Sequence, residues 1–354
     1  MNKIKPGKFW YDDNNKRIHA HGGSIMYIND TFYWYGENKE GVFGRAIKDD
    51  IKPAIWHNGV KVYSSKDLYN WHDEGVVIIS SDPSNPFYPR NIMDRPHILY
   101  NEKTKLFVMW AKCVTRCVKV GADFESAHYY ISTSSSITGP FKYSHCIENV
   151  LAGDFDLFIE NGKGYYIGTE GNTVYSRELT DDYQNFKEGF SKHIEKERPP
   201  FVREAPCFFT HDDRKFILTS GTSGYFPNPT ITYDVTDFNG EYKELGFTCV
   251  KDTEKTSFRA QFSSVFKHPH KKDLYIALGD RWLNDLPVHM EISGEEMFDG
   301  YFSKEGPSFR EDLLEVYSDE NTSEATYVWL PIRFMNDGTP YIEWLDDWKI
   351  EDFN

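Results

Sequence analysis

The sequence is poor in cysteine, and its few cysteines are scattered. Its 354 residues include five cysteines, an odd number, so a disulfide framework is not expected. Cys113 and Cys117 form one close pair, but no second pair completes a zinc site. The sequence therefore predicts neither a disulfide-stapled scaffold nor a structural metal centre.

The chain also lacks basic charge and long apolar runs. Acidic residues outnumber basic ones by 55 to 40, and the resulting net charge of −15 opposes binding to nucleic acid or to an anionic membrane surface. The first 16 residues contain no apolar run that would form a signal peptide or a membrane span. The sequence as it stands predicts a cytoplasmic protein, or a secreted one if a leader has been removed.

Aromatic residues are abundant by contrast. Trp, Tyr and Phe make up 16% of the chain, an excess that suits β-strands and sugar-stacking surfaces better than helices. The length allows one large β-rich domain or two ordinary domains. Composition thus fits a β-rich enzyme that acts on a neutral or cationic ligand, and it fits equally a negative charge that serves solubility alone.

A repeated pattern organises the chain. An apolar strand, a polar turn and an aromatic strand recur five times, with Asn, Asp, Gly or Lys in the turns. The copies span residues 22–38, 95–112, 154–172, 204–224 and 261–282. A third strand follows most copies directly. In the fifth copy this strand comes only after a longer segment, within 325–350. This pattern predicts an all-β fold over residues 1–354, a single five-bladed β-propeller closed by the two chain ends, rather than a β-sandwich.

Polar residues recur at the start of these repeats. The first strand of each blade lines the central channel of a propeller, so we expect its entry residues to converge at one end of the axis. The set comprises His19, His21, Gly22, Gly23, Asp94, Arg95, Asp154, Asp156, Arg203, Glu204 and Gln261. Converging carboxylates indicate a functional site. A carboxylate pair suits glycoside hydrolysis, in which one acid protonates the leaving oxygen and a group on the opposite face activates water.

Five stretches carry a resemblance to a known family. They are "HAHGGSIMYINDTFYWYGE", "MDRPHILYNEKTKLFVMW", "DFDLFIENGKGYY", "REAPCFFTHDDRKFILTSGTSG" and "ALGDRW…YVWLPI". Together they resemble glycoside hydrolase family 43, and within it the exo-β-1,3-galactanase branch, over nearly the whole chain. The resemblance implies an exo-acting, inverting glycosidase that releases a terminal β-galactosyl unit. The alternatives are an α-L-arabinofuranosidase or β-xylosidase of the same family, and a propeller that binds carbohydrate without cleaving it.

The resemblance also implies catalytic roles. Glu204, in "REAP", would be the general acid, and Asp94, in "DRP", would tune the pKa of that acid, at a position where the branch usually has Glu. Gln261, in "RAQFSS", would position the attacking water. Most of the family has an aspartate base in a first-blade "DPS" sequence, but this chain reads "GGS", with Gly22 at the aspartate position. Asp154, Glu37 and the histidines remain open as the acceptor of the water's proton.

Further side chains are expected to contact the sugar. These substrate-binding candidates are His21, Tyr35, Glu37, Arg95, Asp154, Tyr225 and Asp280. The sequence predicts no metal-binding residues and no redox or nucleotide cofactor. A channel Ca²⁺, found in some relatives, is the open alternative, and the oligomeric state is also left open.

One segment departs from the family pattern. Residues 283–326, within the fifth blade, form an insertion where related sequences are usually short. The spacing of Phe309, Leu313, Leu314 and Val316 predicts a short amphipathic helix. Two roles are open for this insertion: a wall of the substrate pocket, or a contact between subunits.

Overall fold

Four-stranded antiparallel sheets account for nearly all the regular structure of the protein. The computed structural model describes residues 2–42, 55–114, 127–284, 286, 293–303 and 321–354. The described residues form five such sheets, and each sheet takes four strands that are consecutive in the chain. This arrangement confirms the predicted all-β, five-bladed β-propeller.

The strands follow one another blade by blade. The first blade contains β1 (His21–Ile28), β2 (Thr31–Glu37), β3 (Val60–Ser65) and β4 (His72–Ile78). The second contains β5 (Ile92–Asn101), β6 (Leu106–Val114), β7 (Ala127–Ser134) and β8 (Lys142–Ile147). The third contains β9 (Phe155–Glu160), β10 (Lys163–Glu170), β11 (Thr173–Glu178) and β12 (Ser191–Glu195).

The last two blades continue the same order. The fourth contains β13 (Arg203–His211), β14 (Arg214–Gly221), β15 (Ile231–Asp234) and β16 (Lys243–Phe247). The fifth contains β17 (Gln261–Lys267), β18 (Tyr275–Arg281), β19 (Thr326–Phe334) and β20 (Pro340–Ile342). Among the residues described between β18 and β19, one helix forms, α1 (Gly294–Ser303). Thr322–Glu324 and Ile350–Asp352 form short 3₁₀ turns. No helix within the described ranges has the length and apolar character needed to cross a bilayer.

Turn chemistry explains the innermost hairpins. Asn29 and Asp30, between β1 and β2, have φ angles of 49° and 55°, and Asn161 and Gly162, between β9 and β10, have 52° and 75°. Left-handed conformations at both central residues define the tight turns whose twist matches a β-hairpin. The predicted hairpins at 22–38 and 154–172 therefore form where Asn, Asp and Gly permit them.

A β-bulge recurs at the start of three innermost strands. The register shifts between His21 and Ser24 in β1, between Asp94 and His97 in β5, and between Glu204 and Cys207 in β13. The residue that follows the first of each pair is left-handed: φ is 64° at Gly22, 54° at Arg95 and 49° at Ala205. Bulges of this kind redirect side chains next to functional sites. In blade register, His21, Asp94 and Glu204 are therefore equivalent positions.

The chain divides into two compact units. The first unit comprises Tyr11–Gly171 and Tyr175–Ser191. It holds two apolar clusters, one containing Val62 and Met109 and the other containing Trp110 and Phe155, all of them fully buried. These clusters support β1 to β10.

The second unit comprises Met1–Trp10, Asn172–Val174 and Lys192–Asn354. Its main core contains Leu218, Val328 and Leu330. Both chain ends lie in this unit, where Ile4 and Trp348 exchange backbone hydrogen bonds of 2.9 and 3.1 Å. That the whole chain forms a single domain stays a prediction.

Candidate active site

Charged side chains in the first unit form a closed series of contacts, which we call the charge ring. Its members are the carboxylates Glu37, Asp94 and Asp154, the cations Lys39, Arg95 and Lys112, and the indole of Trp56. The members come from β2, β5 and β6 and from the segments that follow β2 and precede β3 and β9. A buried carboxylate is stable only if its charge is paired and hydrogen-bonded, and the ring supplies both.

Glu37 lies at the end of β2 and is held at both oxygens. Lys39 Nζ lies 2.8 Å from Oε2, and the backbone N–H of Arg95 donates to Oε1 at 3.1 Å. The side chains of Glu37 and Lys39 are 3% and 1% exposed. Contacts with the protein, rather than with solvent, therefore fix the orientation of this carboxylate.

Lys112 joins the other two carboxylates. Its Nζ lies 3.1 Å from Asp94 Oδ2 and 2.9 Å from Asp154 Oδ1. Arg95 Nη2 lies 3.3 Å from Asp154 Oδ2, so Asp154 is in contact with two cations.

Trp56 completes the ring. Its indole N–H donates to Asp94 Oδ1 at 3.0 Å, and its backbone carbonyl accepts from Lys39 Nζ at 3.1 Å. The same Nζ lies 4.9 Å from the centre of the indole ring, within reach of a cation–π contact. Asp94 and Glu37 are thereby linked through two intermediate side chains.

The ring separates the pKa values of two carboxylic acids. Burial raises the pKa of Glu37 to about 7, against the opposing charge of Lys39. Burial also acts to raise the pKa of Asp154, but Lys112 and Arg95 outweigh it and hold this pKa at about 2. Such a separation assigns different protonation states to neighbouring acids near neutral pH.

Glu37 also explains the missing first-blade aspartate. Gly22 has a φ of 64°, and a Cβ built on it would collide with Glu37 Oε1. A Cβ on Gly23 would overlap the carbonyl oxygen of Tyr35. The carboxylate of Glu37 therefore occupies space that a side chain at position 22 would need, and the two glycines allow it to do so.

The buried histidines near the ring are weak bases. Burial lowers the pKa of His19, His57 and His97 to about 3 in each case. His21 is fully buried, with its ring 5.9 Å from that of His19. His19, His57 and His97 are therefore neutral near pH 7, and none of them is basic enough to take a proton from water efficiently.

In the second unit, Glu204 and Gln261 form what we call the acid pair. Gln261 Nε2 donates to Glu204 Oε1 at 3.2 Å and to Ser220 Oγ at 3.0 Å. Ser220 is the cross-strand partner of Glu204, and Asp280, which is buried, is the partner of Gln261. Neighbouring innermost strands β13 and β17 thus bring the predicted acid and the predicted water-positioning amide into contact.

The insertion contributes one helix to the second unit. Ser293 and Glu296 form a capping box in which Ser293 Oγ accepts from the Glu296 amide at 3.1 Å and Glu296 Oε2 accepts from the Ser293 amide at 3.0 Å. Met297 of α1 is buried in a cluster with Phe226 and Trp282. This helix was not predicted, although the Ser-x-x-Glu pattern is a sequence signal for its start. The helix predicted at 309–316 lies outside the described residues.

The predicted sugar contacts fall into different surroundings. Tyr35 packs in an apolar cluster, is 3% exposed, and its hydroxyl accepts the Ile98 N–H at 3.1 Å, so the placement does not support stacking on a sugar. Tyr225 is half-buried, with its ring 4.7 Å from that of Trp282. Glu37, Arg95 and Asp154 are members of the charge ring.

Three contributors were missed by sequence reasoning. Lys39, Trp56 and Lys112 all touch a predicted carboxylate, but none stands at the start of a repeat. Their only sequence signal is a basic or aromatic residue close to a strand end, which is common on any surface.

The described residues include no group of three or more His, Cys, Asp or Glu side chains that could hold a metal ion. The channel Ca²⁺ stays the open alternative that the resemblance implies. The absence of a cofactor stays a prediction.

A five-bladed β-propeller with carboxylates at the entries of its innermost strands, and an acid–amide pair on the neighbouring strands β13 and β17, fits the class of propeller-fold glycoside hydrolases. The chain belongs to this class and to one family within it: the model of the glycosyl hydrolases family 43 matches residues 17–307. The predicted family and the predicted glycosidase class are confirmed.

Solved structures extend the similarity. A family 43 β-1,3-galactosidase is 28% identical, with a TM-score of 0.78, over 100% of this chain and 65% of its own length. A second, solved with galactodeoxynojirimycin, is 24% identical, with a TM-score of 0.78, over 98% of this chain and 100% of its own. An exo-β-1,3-galactanase from Clostridium thermocellum is 24% identical, with a TM-score of 0.73, over 99% of this chain and 67% of its own.

The chain therefore spans about two thirds of the length of the first and third of these structures and all of the second. A comparison with curated proteins finds no match to this chain.

Proposed function

We propose that the protein is an exo-acting, inverting glycosidase that releases a terminal β-galactosyl unit from an oligo- or polysaccharide. The observation that carries the proposal is the acid pair, a carboxyl group hydrogen-bonded to an amide at 3.2 Å, at the positions of the family's acid and water-positioning residues. The β-1,3-galactosidases and the exo-β-1,3-galactanase to which the chain is similar support the choice of sugar.

In this mechanism Glu204 is the general acid. Its carboxyl proton passes to the glycosidic oxygen as the bond from that oxygen to the anomeric carbon breaks, so the leaving group departs as a neutral alcohol. A water attacks the anomeric carbon from the opposite face, which inverts the configuration. Gln261 donates through Nε2 to Glu204, so its Oε1 is the atom suited to accept a hydrogen bond from this water.

The attacking water must also lose a proton. Of the acceptors that the sequence leaves open, Asp154 has a pKa of about 2 and the buried His19 one of about 3, too low for an effective base. Glu37 has a pKa of about 7, and its Oε1 occupies the space beside Gly22, where the family's aspartate would project. We therefore assign the base to Glu37, and kcat/KM should rise as the pH increases through about 7.

A substrate screen tests the proposed function. The purified protein is assayed with 4-nitrophenyl α-L-arabinofuranoside, β-D-xyloside, β-D-galactopyranoside and β-D-galactofuranoside, and with β-1,3-galactobiose. We expect turnover of the β-galactopyranosyl substrates, with α-galactose as the first anomer seen by NMR. Glu204→Gln should lower kcat on the disaccharide by about 10²–10⁴-fold, the range for a lost general acid. Full activity in that variant, or β-galactose as the first product, would refute the mechanism.

The base is tested separately by chemical rescue. Glu37→Ala should lose most of its activity, and added azide, which needs no proton acceptor, should restore turnover and yield α-galactosyl azide. Failure of azide to restore any turnover, with sugar binding intact, would exclude Glu37 as the base.

A further inference from the structure

We propose that Trp56 is a positioning residue for Asp94, and that Lys39 fixes Trp56 and Glu37 together, so that the two carboxylates act as one coupled pair. This inference rests on the proposed function, because Asp94 is the carboxylate expected to tune the acid. Trp56 itself contacts neither a reacting atom nor the sugar in this account.

The geometry around Asp94 shows why a positioning residue is needed. The two oxygens of Asp94 are held from different directions, Oδ1 by the Trp56 indole N–H at 3.0 Å and Oδ2 by Lys112 at 3.1 Å. Two donors on separate oxygens fix the plane of the carboxylate, which one donor cannot do.

Lys39 couples this arrangement to Glu37. A lysine that is 1% exposed must have its charge compensated, and Lys39 Nζ contacts Glu37 Oε2 at 2.8 Å and the Trp56 carbonyl at 3.1 Å. The position of the Trp56 backbone thus depends on the same ammonium group that orients Glu37. A displacement of either carboxylate is transmitted to the other through one lysine and one indole.

The charged and titratable groups around Asp94 are Lys112, Glu37, His57 and Cys113. An indole nitrogen donates and never accepts, so in Trp56→Phe the Oδ1 of Asp94 loses this donor while Lys112 still holds Oδ2. The carboxylate should therefore be less fixed in orientation in this variant.

The test combines NMR with kinetics on Trp56→Phe, which keeps a ring beside Lys39 and removes the N–H. We expect the ¹³C-carboxyl resonance of Asp94 at pH 7 to shift, because its Oδ1 loses the indole donor. In the kinetics, kcat should fall while KM changes less than twofold, since Trp56 contacts neither the sugar nor a reacting atom. In Asp94→Asn, adding Trp56→Phe should cause no further loss of kcat, since coupled residues are not additive.

Trp344→Phe is the matched control. Its indole N–H also donates to a carboxylate, Asp346 Oδ1 at 2.9 Å, and Arg281 lies 5.4 Å from its ring centre, but the hydrogen bond is exposed. This variant should leave both the Asp94 resonance and kcat unchanged. An unmoved Asp94 ¹³C-carboxyl resonance in Trp56→Phe, or additive losses in the double variant, would overturn the inference. The NMR measurement needs no substrate, so a protein that cleaves no galactoside would refute the proposed function and still test this one.

Discussion

The charge ring and the acid pair place carboxylates in contrasting surroundings. In the ring, Glu37, Asp94 and Asp154 each contact a cation at 2.8–3.3 Å. In the acid pair, the hydrogen bond from Gln261 to Glu204 comes from a neutral amide. In the ring, cations compensate the charge of each carboxylate. In the acid pair, the carboxyl group of Glu204 contacts the dipole of an amide.

The ring cations are expected to matter first for folding. Removal of a cation from the ring leaves buried charge uncompensated, which is among the most destabilising changes known for single residues. Gln261 is neutral, so its substitution leaves no charge of its own behind. Variants that remove a ring cation should therefore act first on folding, whereas variants of Glu204, Gln261 and Glu37 should act on turnover in the proposed mechanism.

The largest expected effect on stability is that of Lys112→Met. The change leaves Asp94 and Asp154, 19% and 10% exposed, without their shared ammonium group. We expect the free energy of unfolding in urea at pH 7 to fall by about 3 kcal/mol, the lower part of the range for a broken buried ion pair.

Lys105→Met is the control for this prediction. Lys105 lies 2.8 Å from Glu102 in an ion pair whose members are 68% and 78% exposed, so its loss should leave the free energy of unfolding nearly unchanged. Equal losses in the two variants would mean that the ring is no more than a surface ion pair, and the comparison drawn above would fail.

The fold was predictable from the sequence because its signals are local. Alternating apolar residues and turns such as Asn29-Asp30 mark each hairpin, and five repeats of that pattern leave few architectures. The strand-start residues Asp94, Glu204 and Gln261 were found for the same reason. They share one place in the repeat.

The charge ring was only partly predictable because its contacts are not local. Lys112 and Asp154 are 42 positions apart and Trp56 and Asp94 are 38 apart, and no periodic pattern encodes which strands bring them together. Tyr35 shows the opposite case, a residue that the sequence suggests for the site and that packs in the core. In a chain this rich in aromatics, an aromatic residue beside a strand-end glutamate is easily taken for a sugar contact, yet burial and one hydrogen bond to Ile98 place it in the core.

A smaller effect tests whether Glu37 occupies the place of the missing aspartate. Gly22→Ala should destabilise the protein by about 2–3 kcal/mol, of which about 1 kcal/mol is the cost of a left-handed alanine and the rest is displacement of Glu37 Oε1. Gly171→Ala isolates the backbone part, since φ is 60° there against 64° at Gly22 and a Cβ would meet nothing within 4 Å. The difference between the two variants in urea unfolding measures the contact with Glu37.

If the two variants lose equal stability, the space beside Gly22 is open, and an aspartate at position 22 could be accommodated. If Gly22→Ala loses more stability and also loses kcat while Gly171→Ala does not, then Glu37 and a side chain at position 22 exclude each other. The absence of an aspartate base at position 22 would then follow from the position of the Glu37 carboxylate.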